Sequence, residues 1–142
     1  MIVKSFFQKP FDEVKKLGPA IVEFDSGTND EEPKSRVMRA HPTRDVRSLS
    51  IFRVLRQKAD WKTGLFKVFS SSNSLTEDEF ERSTEKDVHE IVLETDELLV
   101  LAGSLYIELS PNSGSRIVWQ GFSERPMYDD IYSPAALPFM KI

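Results

Sequence analysis

The chain has 142 residues, no cysteine and a formal net charge of −4, with 39% hydrophobic and 30% charged residues. This composition predicts one soluble globular domain spanning residues 1–142, and it excludes disulfides, thiolate nucleophiles and cysteine-based metal sites. No run approaches about 18 apolar residues and the start lacks the apolar core of a signal peptide. We therefore expect no membrane association and a cytoplasmic protein, in the host cytoplasm if the chain is viral.

The first predicted elements are a helix, a strand and a loop. Pro10 suits a first helical position, acidic residues follow it, and Gly18 suits the position after a helix end. These signals predict a short helix over 10–17. The apolar run at 20–24 predicts a strand. The polar segment after it contains glycine and proline, which predicts a flexible loop near 25–35.

Two runs in the middle of the chain are rich in apolar and β-favouring residues. They lie at 48–56 and 65–69, with Gly64 placed to close a turn between them. This arrangement predicts a β-hairpin over 48–69.

The serine-rich segment near 70–76 predicts a second flexible loop. Thr76 and Glu79 follow with the spacing of a capping box, in which two side chains satisfy each other's backbone N–H groups at a helix start. The pair predicts a short helix around 77–82.

The second half of the chain is β-rich. Four runs predict strands, at 89–94, 97–102, 104–110 and 115–122. Gly103 and Ser104 join the middle two strands, which predicts that these two strands pair. The run at 97–102 is apolar on both faces and therefore predicts a central, well-covered strand. The proline-containing tail predicts an extended arm that docks on the domain or on a second copy.

Together these patterns predict a mainly β (α+β) fold. We expect a small β-barrel or sandwich of about seven strands with two short helices.

The charges are segregated along the chain. Residues 34–67 contain ten Lys/Arg and two Asp/Glu, whereas residues 68–142 contain five Lys/Arg and fourteen Asp/Glu. The basic segment predicts a surface for a protein partner or another anionic ligand. The alternative is a salt-bridged face against the acidic strands. Trp61 lies between two lysines, an arrangement that can hold a nucleobase or an acidic peptide. The candidate binding residues are Arg36, Arg39, Arg44, Arg47, Arg53, Arg56, Lys58, Trp61 and Lys62.

Catalytic and cofactor motifs are missing from the sequence. A chain with only two histidines cannot form a three-histidine metal site. The sequence contains no nucleophile elbow, no P-loop and no dinucleotide-binding glycine motif. We therefore expect no metal and no cofactor. If the fold encloses a polar pocket, its candidate members are His89, Glu97, Tyr106 and Arg116.

Part of the sequence resembles the cupin superfamily of small β-barrels. Asp96, the run ELLVLA, Gly103 and the run SLYIEL resemble the strand–glycine–strand part of the first cupin motif. The segments FDEVKKLGPAIVEF and SLSIFRV are similar to the ureidoglycolate lyase branch. The resemblance implies a barrel and a small-molecule lyase or isomerase. The paired histidines and the second motif of that superfamily have no counterpart in this chain, so cupin metal chemistry is not implied.

Three function classes follow from these observations. The first is a non-catalytic binding protein that uses the basic surface, such as an inhibitor, an immunity-type protein or a phage or assembly accessory. The second is a cupin-like small-molecule enzyme or binder. The third is a nucleic-acid-binding protein, which the acidic second half disfavours because it repels phosphates. The sequence leaves the oligomeric state open, a dimer included.

Overall fold

A computed structural model of the chain describes residues 7–8, 10–24, 36–39, 47–102, 105–112, 114–124 and 140–141. Nine strands, one α-helix and two 3-10 turns lie in these residues. The strands are β1 (Lys15–Phe24), β2 (Arg36–Arg39), β3 (Ser48–Val54), β4 (Lys67–Phe69), β5 (Val88–Glu90), β6 (Leu99–Ala102), β7 (Tyr106–Leu109), β8 (Ile117–Ser123) and β9 (Met140–Lys141). The helix α1 spans Glu77–Arg82, and the 3-10 turns span Phe11–Glu13 and Trp61–Thr63.

The strands form two antiparallel sheets. The first sheet has the order β6-β3-β8-β1-β9, and the second has the order β2-β7-β4-β5. The prediction of a mainly β fold is therefore confirmed. Among the described strands neither sheet closes on itself, so the predicted barrel is not confirmed.

One hydrophobic cluster contains buried side chains from both sheets. The first sheet contributes Phe24, Phe52 and Trp119, and the second contributes Ile107 and Leu109. Burial alternates along β8, as expected for a strand with one face toward a core and one face away from it. The two sheets thus bury their inner faces in a shared core, and the residues between these positions point outward.

The segment 10–17 is not an α-helix. Only Phe11–Glu13 forms a single 3-10 turn, and β1 begins at Lys15. Lys15 pairs with Ser123 of β8, so the ladder with β8 starts inside the predicted helix. The predicted helix is wrong because a helix of about two turns is barely stable by itself, and a long strand ladder outweighs its local signals.

Gly18 lies inside β1 instead of ending a helix. The register with β8 shifts between Leu17 and Ala20, and Gly18 has a φ of +78°. A Cβ at this position would lie 3.0 Å from the backbone nitrogen of Ala20 and 3.0 Å from the carbonyl oxygen of Trp119. Glycine is therefore required both by the backbone conformation and by the lack of space.

Replacing Gly18 with alanine is expected to lower the free energy of unfolding by about 1–3 kcal/mol. Urea denaturation measures this loss. Gly114→Ala is the matched control, because Gly114 has a φ of +121° but no heavy atom near its Cβ position. The Gly114→Ala variant therefore measures the loss of stability from backbone strain without a steric clash. If the two variants lose equal stability, the close contact with Trp119 has no energetic effect.

The hairpin predicted over 48–69 is wrong. β3 lies between β6 and β8 in the first sheet, whereas β4 lies between β7 and β5 in the second. Gly64, with a φ of +103°, ends the 3-10 turn at Trp61–Thr63 instead of closing a hairpin. Turn residues specify that the chain reverses locally, but they do not specify the sheet in which the next strand pairs.

The pairing predicted for the strands around Gly103 is also wrong. β6 and β7 lie in different sheets, and Gly103 and Ser104 lie outside the described residues. Among the described strands, β6 lies at the edge of its sheet and not at its centre. Its residue Val100 is 47% exposed and the preceding Leu98 is 63% exposed, so the outer face of this run is not covered.

The helix predicted around 77–82 is confirmed as α1. The Thr76 hydroxyl accepts a hydrogen bond from the Glu79 backbone N–H at 3.2 Å, and the Glu79 carboxylate accepts from the Thr76 N–H at 3.1 Å. The helix covers the outer face of the second sheet, where Phe80 stacks on Tyr106 with ring centroids 4.0 Å apart. Of the two predicted helices, this is the one that forms.

The predicted loops lie partly within the described residues. In the segment 70–76, the buried Ser72 hydroxyl donates to the Phe69 carbonyl at 2.7 Å and accepts from the Tyr106 N–H at 2.9 Å. These bonds tie the segment to the second sheet. The segment 25–35 and most of the predicted C-terminal arm lie outside the described residues.

Candidate functional site

The 3-10 turn at Trp61–Thr63 is fixed by local hydrogen bonds. The Asp60 carboxylate accepts from the Thr63 N–H at 3.1 Å, and the Thr63 hydroxyl accepts from the Asp60 N–H at 2.9 Å. Gly64 then allows the left-handed conformation that ends the turn. This reciprocal capping gives the short segment DWKTG a defined shape, and it sets the position of Lys62.

The connection between β7 and β8 is hydrogen-bonded to this turn. The Ser110 hydroxyl donates to the Trp61 carbonyl at 2.7 Å. The Ser115 N–H donates to the Thr63 carbonyl at 2.8 Å, and the Ser115 hydroxyl donates to the Thr63 hydroxyl at 2.8 Å. These bonds join two segments that are far apart in the chain, since Ser115 and Thr63 are separated by 52 residues.

The end of β3 is held against the same connection. The Leu55 N–H donates to the Arg116 carbonyl at 3.1 Å. Three separate segments are therefore bound together: the end of β3, the 3-10 turn and the residues before β8. Hydrogen bonds fix the backbones of these three segments. The side chains between them are therefore held in defined positions relative to one another.

A cleft of about 450 Å³ opens between these three segments. Its lining residues are Leu55, Arg56, Gln57, Lys58, Lys62, Thr63, Gly114, Ser115 and Arg116. Four of them are cationic, and none is a carboxylate. We call this site the basic cleft. Arg56, Lys58, Lys62 and Arg116 are all exposed, and none of them forms a salt bridge with a described residue.

Two carboxylates border the basic cleft without lining it. Glu23 accepts a hydrogen bond from the Gly114 N–H at 3.2 Å. Asp60 is occupied in capping the 3-10 turn. Each of these two carboxylates accepts a backbone hydrogen bond, and neither forms a salt bridge with a cation of the cleft.

The structure distributes the sequence-predicted binding residues over several places. Arg56, Lys58 and Lys62 line the basic cleft. Arg53 is exposed on β3 opposite Val118, and Arg47 precedes β3. Arg36 and Arg39 lie on β2, whereas Arg44 is outside the described residues.

Trp61 does not line the basic cleft. It is half-buried, and the Lys67 ammonium lies 4.0 Å from the centre of its ring. Trp61 lies in a 3-10 turn and not at the tip of the hairpin predicted over 48–69, because no hairpin forms there. A ring with one face taken by a lysine is a poor platform for a stacked nucleobase.

The four candidate pocket residues lie in different parts of the molecule. His89 is exposed on the edge strand β5, 3.2 Å from the Asp87 carboxylate, and Glu97 is exposed just before β6. Tyr106 is buried beside α1, and Arg116 lines the basic cleft. Of these four residues, Arg116 alone lines the basic cleft.

The sequence does not reveal that the segment before β8 helps to form the basic cleft. The local pattern places Gly114 in a turn and Ser115 at the start of a strand, and it groups Arg116 with a different pocket. The turn signal is present in the sequence, but no sequence signal shows that this turn meets residues 56–63.

Comparison of the chain with known protein families, characterised proteins and solved structures finds no match. In the part of the chain that the structure describes, no group of three His, Asp or Glu residues is placed to hold a metal ion. The helices in that part are too short or too polar to cross a membrane.

Proposed function

We propose that the protein is a non-catalytic binding protein, built as a β-sandwich, that holds anionic groups of a protein partner in the basic cleft. One observation carries the proposal. Four cationic side chains line one cleft, its lining contains no carboxylate, and none of the four is neutralised by a described residue.

The electrostatics of the basic cleft favour an anion. Four like charges around one concave surface raise the local positive potential, because the low-dielectric walls focus the field. Arg56 and Arg116 offer planar guanidinium groups that bind carboxylate or phosphate through two parallel hydrogen bonds. The hydroxyls of Thr63 and Ser115 bond to each other and extend the polar wall between these cations.

The size and composition of the basic cleft support binding without chemistry. A volume of about 450 Å³ lies in the usual range for a small ligand or a few inserted side chains. Of the side chains that commonly act as general acids and bases, the lining contains only the lysines Lys58 and Lys62, and no histidine, carboxylate or tyrosine accompanies them. Anionic side chains of a protein partner, carboxylates or phosphates, fit this surface.

A protein partner fits better than a nucleic acid. The whole chain carries a net charge of −4, which weakens the long-range attraction to a polyanion. The Lys67 ammonium already occupies one face of Trp61, so this ring does not offer a free stacking face on that side. A short anionic segment needs only the local cations of the cleft.

Removal of two arginines of the basic cleft is expected to weaken anion binding. We expect Arg56→Ala with Arg116→Ala to lower the affinity for a glutamate-rich phosphoserine peptide about twofold to thirtyfold, since each ion pair at an exposed site contributes roughly 0.2–1 kcal/mol. Isothermal titration calorimetry at low and at physiological salt measures the change. Arg82→Ala with Lys86→Ala is the matched control, because it removes the same charge from the exposed α1 region.

Three results would count against this function. The first is an equal loss of affinity in the control variant, which would show that only net charge matters. The second is the absence of heat with the peptide and with tripolyphosphate alike. The third is tighter binding of single-stranded DNA than of either probe, which would assign the basic cleft to nucleic acid.

A further inference from the structure

Among the described strands, β6 lies at an edge of the five-stranded sheet. β3 is its only neighbour among the described strands. The inward side chain of Leu101 is buried in the core, whereas the outward Val100 is 47% exposed. An edge strand presents unpaired backbone N–H and C=O groups to which another strand can bind.

Among the described residues, the β6 edge has few of the features that usually protect such strands. Natural edges are blunted by charged residues, prolines or bulges. β5, an edge of the second sheet, carries His89 and Glu90. The run 98–102 contains neither a charge nor a proline, and its register with β3 has no shift. Among the described residues, β6 is therefore a regular and apolar edge whose short length of four residues is its main protection.

An acidic turn lies at the start of this edge. Residues 94–97 form a turn that is closed by a hydrogen bond from the Glu97 N–H to the Glu94 carbonyl at 3.1 Å. Glu94, Asp96 and Glu97 are all exposed. The turn is anchored, because the adjacent Leu93 is buried and exchanges two 2.9 Å backbone hydrogen bonds with Ala59.

We propose that β6 is a docking edge for an extended segment of a partner protein, with alternating apolar residues and a cluster of Lys or Arg at one end. The segment adds to the sheet as a further strand through its backbone. Its apolar side chains cover Val100 and Leu98, and its cations meet the acidic turn. Antiparallel addition, the orientation of every registered strand pair in the described part of the molecule, places these cations at the C-terminal end of the segment.

Charge favours such a partner over a second copy of the chain. Residues 87–115 contain no lysine or arginine. Pairing of two β6 edges would therefore bring no cation from this part of one copy to the acidic turn of the other. A basic segment from another protein supplies the missing charge. The acidic turn adjoins the basic cleft through the bridge between Leu93 and Ala59, but the docking edge does not depend on the function proposed for the cleft.

The probe is a synthetic peptide of alternating valine and threonine that ends in three lysines. We expect it to bind the full chain in a fluorescence anisotropy titration, with an affinity that falls as salt rises. Val100→Lys is expected to lower this affinity about tenfold or more, because it removes an apolar contact and adds a like charge. Asp96→Asn with Glu97→Gln is expected to reduce both the affinity and its salt dependence.

Two controls distinguish strand pairing at β6 from binding elsewhere on the protein. Ile21→Lys alters an equally exposed side chain on the outer face of the same sheet, three strands away, and should leave the affinity within about twofold. Of two peptides N-methylated at alternate residues, the one whose methyl groups lie on the pairing edge keeps its side chains but cannot pair, and should not bind the unaltered protein.

Certain outcomes would overturn the proposal. Equal binding of the N-methylated peptides of both alternate patterns, or equal loss in Ile21→Lys and Val100→Lys, would show that the edge is not used. Failure of the unmethylated peptide to bind would do the same. A dimeric mass in sedimentation analysis that becomes monomeric in Val100→Lys would assign the edge to a second copy.

Discussion

Replacing Trp119 with alanine is expected to lower the free energy of unfolding by about 3–5 kcal/mol. The side chain is only 1% exposed and lies on β8 at the centre of the first sheet. Its indole N–H donates to the buried Ser50 hydroxyl at 3.1 Å. The substitution thus leaves a large cavity and a buried hydroxyl without its donor, and each defect destabilises the native state.

Urea unfolding followed by circular dichroism measures this loss. Trp119→Phe is the informative companion variant, because it keeps most of the apolar volume and removes the indole N–H. It should lose clearly less stability than Trp119→Ala. If both variants are as stable as the unaltered protein, the interior around β8 is not packed as the structure describes.

Replacing Phe66 with alanine is the second change with a large expected effect, again about 3–5 kcal/mol. Phe66 is 1% exposed and precedes β4 of the second sheet. Its ring makes edge-to-face contacts with Phe24 and Phe52 of the first sheet, with centroids 5.0 and 5.4 Å apart. Phe66 therefore packs the segment before β4 of the second sheet against strands of the first sheet. Edge-to-face aromatic pairs add stability beyond that of the buried area.

Phe66→Ala has a second expected effect. Phe66 follows the 3-10 turn that helps to form the basic cleft, so a cavity beneath this turn should also weaken anion binding. Phe66→Leu fills most of the space and should retain both stability and binding. An unchanged melting temperature in Phe66→Ala would contradict the role given to this ring.

Single elements can be predicted from the sequence where their signals are local. The Thr76–Glu79 capping box predicts α1 correctly, because both partners lie within one helical turn. The strands at 48–56 and 115–122 are predicted within a few residues, because apolar and β-branched runs favour strands. The helix over 10–17 fails because its signals are local while its competitor, the ladder with β8, is distant in sequence.

The pairing of strands cannot be predicted in the same way because it depends on distant contacts. The polar segments after β3 and β6 look like hairpin turns, yet each leads from one sheet to the other. A run that is apolar on both faces, such as 97–102, favours a central strand. It forms an edge strand whose outer face remains exposed, and nothing in the run itself distinguishes these two cases.

The sequence indicates only some of the residues that line the basic cleft. The density of cations between 34 and 67 indicates Arg56, Lys58 and Lys62 as binding residues. Arg116 falls in a different candidate pocket, because it lies about 60 residues from Arg56 in the sequence. Only the hydrogen bonds among Leu55, Thr63 and Ser115 reveal that the two regions form one surface.

The sheet order has a consequence for synthesis on the ribosome. Lys15 of β1 pairs with Ser123 of β8, and Arg36 of β2 pairs with Leu109 of β7. The partners that the structure describes for β1 and β2 therefore leave the exit tunnel only after most of the chain. Chains with such remote pairings fold slowly, typically in milliseconds to seconds. We expect β1 to stay unpaired until β8 has been synthesised. During this time the strand is open to aggregation or to chaperone binding.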